Sequence, residues 1–216
     1  MSHSPAPQPA AARPLPPEAF AQWYGRWEPL APTSAADFMD GFDRPWWIIG
    51  GWAIEAFTGV PRRHDDLDIS MLSSDAEAFR RFLGDRFTPW NMDQGWLRPF
   101  DDRFQEVSPN SSLWIRKNAL APWVLDVPFT KDTGGQWTNK RWPDQVAPLD
   151  EVTWTAADGL LYLRPEHVLM MKSRLARGKD RIDAEVALPL LDAAQRHWLR
   201  DTLKHLEPAH PWLDRL

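Results

Sequence analysis

Two carboxylates separated by a single residue, Asp66 and Asp68, are the chemical centre of this sequence. Alternate residues of a strand point to the same face, so a strand here would project both acids together, with Cα atoms about 6.5 Å apart. Leu67 and Ile69 fall on the opposite face and supply no countercharge. Such a pair repels itself, and a divalent cation relieves the repulsion. Oxygen ligands in a chain without cysteine favour Mg2+, or else Mn2+. Two such ions about 3.5–4 Å apart form the usual clamp for in-line phosphoryl displacement.

An Asp-x-Asp by itself is more often a solvated strand edge, and its surroundings alter that reading. Gly50-Gly51 stands upstream at the start of an expected helix. A glycine turn there exposes backbone N–H groups that can receive a phosphate. A third acid, Asp126, sits inside the apolar run Trp123-Val124-Leu125-Asp126-Val127-Pro128-Phe129. A carboxylate in such a strand is costly unless it is paired or bound to metal. An arginine or backbone donors would satisfy it equally well. Asp132 is a loop acid and the poorer choice.

Cations able to offset phosphate charge come mainly from Lys172, Arg174, Arg177, Lys179 and Arg181, set against Asp180. A run of this kind is usually a solvated helix face. Arg62 and Arg63 flank the aspartates, and Arg141 is a further candidate to face a phosphate. Trp90, Trp96, Trp137, Trp142 and Trp154 lie in loop-rich stretches suited to an aromatic-walled cleft, and Glu106 or Asp101 would attract a polycation.

The elements that must hold these residues follow from pattern. Pro17 opens a helix and another follows Ser34. Trp46 to Ile49 is a buried strand stopped by Gly50-Gly51, with a helix over Trp52 to Phe57 ending near Gly59. A second strand contains Asp66-Leu67-Asp68-Ile69, and Ser74 and Asp75 cap a helix through Leu83. Strands are expected over Arg86 to Met92, Trp96 to Phe100, Ser112 to Arg116, Trp123 to Phe129 and Gly159 to Leu163. Thr130 to Trp154 reads as loop. Helices then run from Arg164-Pro165 to about Ala176 and from Lys179 to Leu188, with a last one capped by Asp192 and Gln195. The fold class is mixed α/β (α+β), a mixed sheet flanked by helices with a small helical C-terminal part.

The chain of 216 residues suits one catalytic domain with a helical appendage, and 14 Trp with 10 Phe suffice for a core. We divide it into a flexible leader over 1–16, a catalytic domain over 17–163 and a helical C-terminal region over 164–216. A formal charge of −5 argues against a duplex-binding basic face, though not against a local basic pocket. No apolar stretch is long enough to span a bilayer and no signal-peptide core is present, so a cytoplasmic location and no membrane partner are expected.

The wording Gly50-Gly51-Trp52-Ala53-Ile54-Glu55, then Gly59, then Arg63-His64-Asp65-Asp66-Leu67-Asp68-Ile69 resembles the signature of the DNA polymerase β-type nucleotidyltransferase superfamily. Within it, the small aminoglycoside and lincosamide nucleotidyltransferases are most similar. The close match covers about Trp46 to Leu72. The resemblance implies a nucleotidyltransferase fold, with Asp66 and Asp68 as paired metal ligands and Gly50-Gly51 holding phosphates. It further implies that Asp126 completes the metal site and accepts a proton from the attacking hydroxyl. Lys172, then Lys179, would reach the phosphates with help from Arg63, and His64 would orient a metal ligand. Glu55 departs from the aspartate common in the aminoglycoside enzymes, which leaves its role open.

The implied activity is metal-dependent transfer of a nucleoside monophosphate, AMP from ATP in the first instance, to a hydroxyl of a small molecule such as an aminoglycoside or lincosamide. Two alternatives stand beside it: a toxin-type enzyme acting on tRNA or protein, and a catalytically inactive nucleotide-binding module. A monomer and a homodimer are both compatible with the sequence.

Overall fold

The computed structural model describes residues 16–175 and 177–216. The expected leader therefore lies, apart from Pro16, outside the described residues, as does Ala176. Two short helices, α1 (Pro17–Tyr24) and α2 (Pro32–Met39), each begin with a proline whose fixed φ suits a first turn. The strand β1 (Trp46–Ile48) then delivers the chain into α3 (Gly50–Thr58), which Gly59 ends in a left-handed conformation.

After β2 (Ile69–Leu72) and α4 (Ala76–Leu83) comes a meander of β3 (Thr88–Asp93), β4 (Trp96–Pro99), β5 (Ser112–Arg116) and β6 (Trp123–Thr130). Short pieces follow: β7 (Trp137–Thr138), β8 (Val146–Ala147), α5 (Leu149–Val152), β9 (Thr153–Thr155) and β10 (Leu161–Leu163). Three helices close the chain, α6 (Pro165–Ser173), α7 (Gly178–Ala187) and α8 (Ala193–Leu206). The last begins in the expected capping box of Asp192 and Gln195.

Eight strands form one sheet in the order β4-β3-β5-β6-β2-β1-β10-β9, and β7 pairs with β8 separately. The pairs β2–β6 and β1–β10 are parallel and the others antiparallel, so the sheet is mixed as expected. Along β6 the residues Trp123, Leu125, Val127 and Phe129 are buried, while Val124, Asp126 and Pro128 face the other way and are only partly covered. Each large apolar side chain so buried contributes about 1.5–3 kcal/mol. On α6, eight residues are buried, because the helix lies between α3 and α8. That burial brings the C-terminal helices against the turn at Gly50.

Four expectations change. Asp75 precedes α4 without a side-chain capping bond, and Ser74 Oγ donates to Asp132 instead. The strand expected over Asp66 to Ile69 begins only at Ile69, with Asp68 making an isolated bridge to Asp126. Asp66 therefore lies in a connection, where cross-chain bonds such as Trp52 Nε1 to its carbonyl (3.2 Å) replace a ladder. The loop expected over Thr130 to Trp154 contains β7, β8, α5 and the start of β9, pieces too short to show a period. The helix expected to reach Ala176 ends at Ser173.

Candidate active site

The strand order decides where the acids meet. Because β2 runs parallel beside β6, the residue before β2 and a residue within β6 come side by side: Asp126 N donates to Leu67 O at 3.2 Å, and Ile49 N donates to Asp68 O at 3.0 Å. Asp68 is thus held between the end of β1 and β6. Opposite it, Gly50 opens α3 at φ 70°, a left-handed conformation that favours glycine. A Cβ on Gly50 would stand 2.6 Å from Asp68 Oδ2, and one on Gly51 would collide with the Arg62 guanidinium.

These residues surround a cavity of about 270 Å³. Gly50, Gly51, Asp66, Asp68 and Asp126 line it, together with the cations Lys172, Arg177 and Lys179 and the apolar side chains of Val168, Met171 and Leu175. Burial, then the charges of Asp126 and Asp66, push the Asp68 carboxyl well above the usual carboxylate range, and Lys172 and Lys179 offset this only in part. The Asp126 carboxyl is pushed up to about 6, chiefly by burial, against the opposing hydrogen bond that Ser112 Oγ donates to its Oδ1 at 2.6 Å. The neighbouring cations do not offset the burial of either acid, and their all-oxygen donor set fits a hard divalent cation. Among the described residues, no three His, Asp or Glu side chains converge closely enough to enclose one ion. The carboxylates share a cavity without forming a closed cage.

The cationic wall is itself organised. Lys172 Nζ, 5% exposed as a residue, sits 2.8 Å from Asp183 Oδ2 and 3.1 Å from Asp180 Oδ1. Asp183 also accepts from Arg62 at 2.7 and 3.1 Å, and Asp180 from Arg177 at 2.7 and 3.1 Å. Five residues thus alternate in charge, from Arg62 through Asp183, Lys172 and Asp180 to Arg177. This chain ties the connection before Asp66 to α6 and α7. Lys179 is more open and its only carboxylate contact among the described residues is Asp65 at 3.5 Å.

Of the residues singled out in the sequence, Gly50, Gly51, Asp66, Asp68, Asp126, Lys172 and Lys179 meet at this cavity. Arg63 does not: its side chain is 93% exposed and leans toward Asp65, because Arg62 takes the inward position. His64 turns from the acids too. Its Nε2 pairs with Glu55 Oε2 at 2.7 Å and its ring stacks on Trp52 at 3.8 Å. Glu55 also accepts from Arg62 N at 3.1 Å, so the residue left open is a brace for the connection. Arg141 is spent on Met170 O, Ser173 Oγ and Glu207.

The five tryptophans form no common cleft. Trp90 packs on Trp123 under the Arg116 guanidinium, and Trp96 is 79% exposed on the β3–β4 hairpin. Trp137 is buried against His167, Trp142 stacks on His205, and Trp154 lies near Tyr162. Apart from the exposed Trp96, each serves local packing. Asp101 pairs with Arg103 and Asp132 holds Ser74 Oγ and Gly135 N, while Glu106 lies with Arg98 and Arg103; none lines the carboxylate cavity. Sequence reasoning missed Ser112, Asp180 and Asp183 as partners at the site. Acids at helical spacing look like a solvated face, and a single serine on a strand carries no signal.

The mixed sheet with its helical close defines a nucleotidyltransferase fold. It is shared with the lincosamide antibiotic adenylyltransferase LnuA in its lincomycin-bound crystal structure, at a TM-score of 0.50 and 17% identity, over 73% of this chain and 96% of that one. In sequence, residues 33–109 match the family described as Aminoglycoside-2''-adenylyltransferase. Over 69 residues the chain is 39% identical to a 2''-aminoglycoside nucleotidyltransferase of Klebsiella pneumoniae, covering 30% of this chain and 38% of that protein. One from Escherichia coli is 38% identical over the same shares. The chain thus spans under two-fifths of the length of these relatives. The family match includes Gly50, Gly51, Asp66 and Asp68 and stops short of Asp126 and Lys172. The chain is similar to small antibiotic nucleotidyltransferases.

Proposed function

We propose that the protein is a divalent-metal-dependent nucleotidyltransferase that moves a nucleoside monophosphate, AMP from ATP, onto a hydroxyl of a small molecule of the kind represented by aminoglycoside and lincosamide antibiotics. The observation that carries this reading is one cavity lined by Asp66, Asp68 and Asp126 together with the Gly50-Gly51 helix start. The names of the relatives support antibiotics as the first acceptors to test, and with them a role in resistance. Among the described residues no helix is long and apolar enough to cross a membrane. We assign the activity to the cytoplasm, where nucleoside triphosphates are supplied, and treat residues 17–163 and 164–216 as parts of one catalytic unit because the cavity takes side chains from both.

In this reading Asp66, Asp68 and Asp126 would hold Mg2+ or Mn2+, which when bound offsets phosphate charge and polarises the phosphorus under attack. Backbone N–H groups at Gly50-Gly51 receive phosphate oxygens. Lys179 and Arg177 offset the charge of the departing pyrophosphate, and Lys172 holds the wall in place while adding to its positive field. The acceptor oxygen bonds to the α-phosphorus, the bond from that phosphorus to the pyrophosphate oxygen breaks, and Asp126 takes the hydroxyl proton.

Incubation with labelled triphosphates, Mg2+ and a panel of aminoglycosides, lincosamides and total tRNA, read by mass spectrometry, tests the proposal. A gain of one nucleotide on a small molecule supports it. Labelling of tRNA alone would move the protein to the toxin type, and an absence of metal-dependent pyrophosphate release with every acceptor would overturn the enzyme reading.

A further inference from the structure

Of the three acids at the cavity, Asp126 is the one that lies within a strand, and the sheet supplies its neighbours. The register of β5 against β6 sets Trp114 directly opposite Asp126 and Ser112 opposite Pro128, so both side chains share the face of the acid. Ser112 is 7% exposed, and its Oγ donates to Asp126 Oδ1 at 2.6 Å. The indole N–H of Trp114 stands near enough to the same carboxyl to oppose the upward push of burial. Its Nε1 is buried, yet among the described residues it has no partner in hydrogen-bond geometry. A buried donor left in that state costs about 1–3 kcal/mol, which a small movement of the carboxyl toward it would relieve.

Other rings hold the indole in place. Trp27 and Trp123 meet it edge to face at 5.3 and 5.6 Å, and Phe20 of α1 lies at 5.9 Å. Neither Ser112 nor Trp114 lines the carboxylate cavity, so each can act there only through Asp126. The serine hydroxyl occupies one carboxylate oxygen inside the sheet and leaves the other for the cavity. A carboxylate that holds a metal is normally hydrogen-bonded in its turn, and loss of such a partner costs about 10–100-fold in metal affinity or activity.

We infer that Ser112 and Trp114 are positioning residues for Asp126, the hydroxyl fixing Oδ1 in the sheet and the indole N–H closing on the carboxylate when its other oxygen takes a divalent cation. The inference rests on the transferase reading, in which Asp126 is a metal ligand, and adds the means by which β5 aims that ligand. It also gives α1 a part in the site, since Phe20 helps to seat the indole.

Mn2+ titration of the full chain, with a non-hydrolysable triphosphate analogue present and water-proton relaxation as the signal, reads the ligand without turnover. Ser112→Ala should weaken Mn2+ binding about tenfold, and Ser112→Thr, which keeps the hydroxyl, should recover most of that loss. Both variants should melt close to the parent. In protein labelled with nitrogen-15, the indole signal missing from Trp114→Phe should move when Mg2+ is added to the parent and stay still in Asp126→Asn. Parent-like Mn2+ binding by Ser112→Ala, equal losses in the alanine and threonine variants, or a Trp114 signal indifferent to Mg2+ would each overturn the inference. Parent-like Mn2+ binding by Asp126→Asn would remove Asp126 from the metal site and take the inference with it. A loss in Asp126→Asn beside an unaffected Ser112→Ala would sink the inference and leave the transferase reading standing.

Discussion

A methyl group on Gly50 would stand 2.6 Å from Oδ2 of Asp68, so the first residue of α3 and this acid are in a contact that only glycine permits. Glycine is required twice over, since φ there is 70°. Gly50→Ala should destabilise the protein by about 1–2 kcal/mol through the left-handed backbone alone. Displacement of Asp68 should in addition lower metal-dependent pyrophosphate release at least tenfold. Urea unfolding reads the first effect and a pyrophosphate assay the second; unchanged turnover would separate the turn from the chemistry.

Asp66→Ala and Asp68→Ala should each abolish Mg2+-dependent pyrophosphate release while circular dichroism stays that of the parent. Since burial and two neighbouring acids disfavour the charged Asp68 carboxyl, its removal should not lower the melting temperature of the metal-free protein at neutral pH. Full activity in either variant would end the metal assignment.

Asp126 has a folded-state value of about 6 against an ordinary 3.8, so the folded chain binds this proton more tightly than the unfolded one. Its contribution without metal is therefore a stabilisation that appears as pH falls below about 6 and is lost as pH rises through it. Asp126→Asn should remove that dependence, measured as the difference between parent and variant in urea unfolding at pH 4.5 and 7. The same variant should bind triphosphate yet turn over poorly, and unchanged turnover would leave Asp126 a structural acid.

Lys172 was expected from sequence to reach phosphate, and it is engaged by Asp183 at 2.8 Å and Asp180 at 3.1 Å. Lys172→Met should therefore cost stability, about 2 kcal/mol or more, even without nucleotide, because two buried acids lose a shared partner and retain only Arg62 and Arg177. The double variant with Asp183→Asn should recover part of that loss. If denaturation midpoints do not move and only the KM for triphosphate rises, Lys172 is free to bind phosphate and the ionic chain is incidental.

His167, buried between the ring of Trp198 at 4.0 Å and the edge of Trp137 at 4.9 Å, is held down to about 3 from 6.5, first by burial. The folded chain refuses a proton that the unfolded chain accepts. Stability from this site is complete above 6.5 and declines as pH falls toward 3, by up to about 1.4 kcal/mol per pH unit. His167→Phe keeps the stacking and should flatten that limb of the stability–pH curve. An unaltered slope would assign acid sensitivity elsewhere.

Much of the fold was legible because its signals are local. The apolar run at Trp46 stopped by Gly50-Gly51, the alternation along Trp123 to Phe129 and the Asp192–Gln195 cap each declare an element within a few residues. Local signals fail where backbone bonding comes from distant segments. The connection through Asp66 looks like a strand by composition, yet Trp52 and Arg62 hold it instead of a ladder.

The sequence by itself singled out the pair Asp66 and Asp68, the glycine turn and the isolated acid Asp126, because residue type and spacing are read in one dimension. The tertiary structure decided which cations serve them. Arg62 turns inward and Arg63 outward although they are neighbours, since only Arg62 can meet Asp183, 121 positions away. It also decided that five tryptophans disperse and that Ser112, on the neighbouring strand, bonds to Asp126. Partnership between charges depends on distance in space, which the parallel seam of β2 and β6 and the seating of α6 on α3 create and no spacing along the chain records.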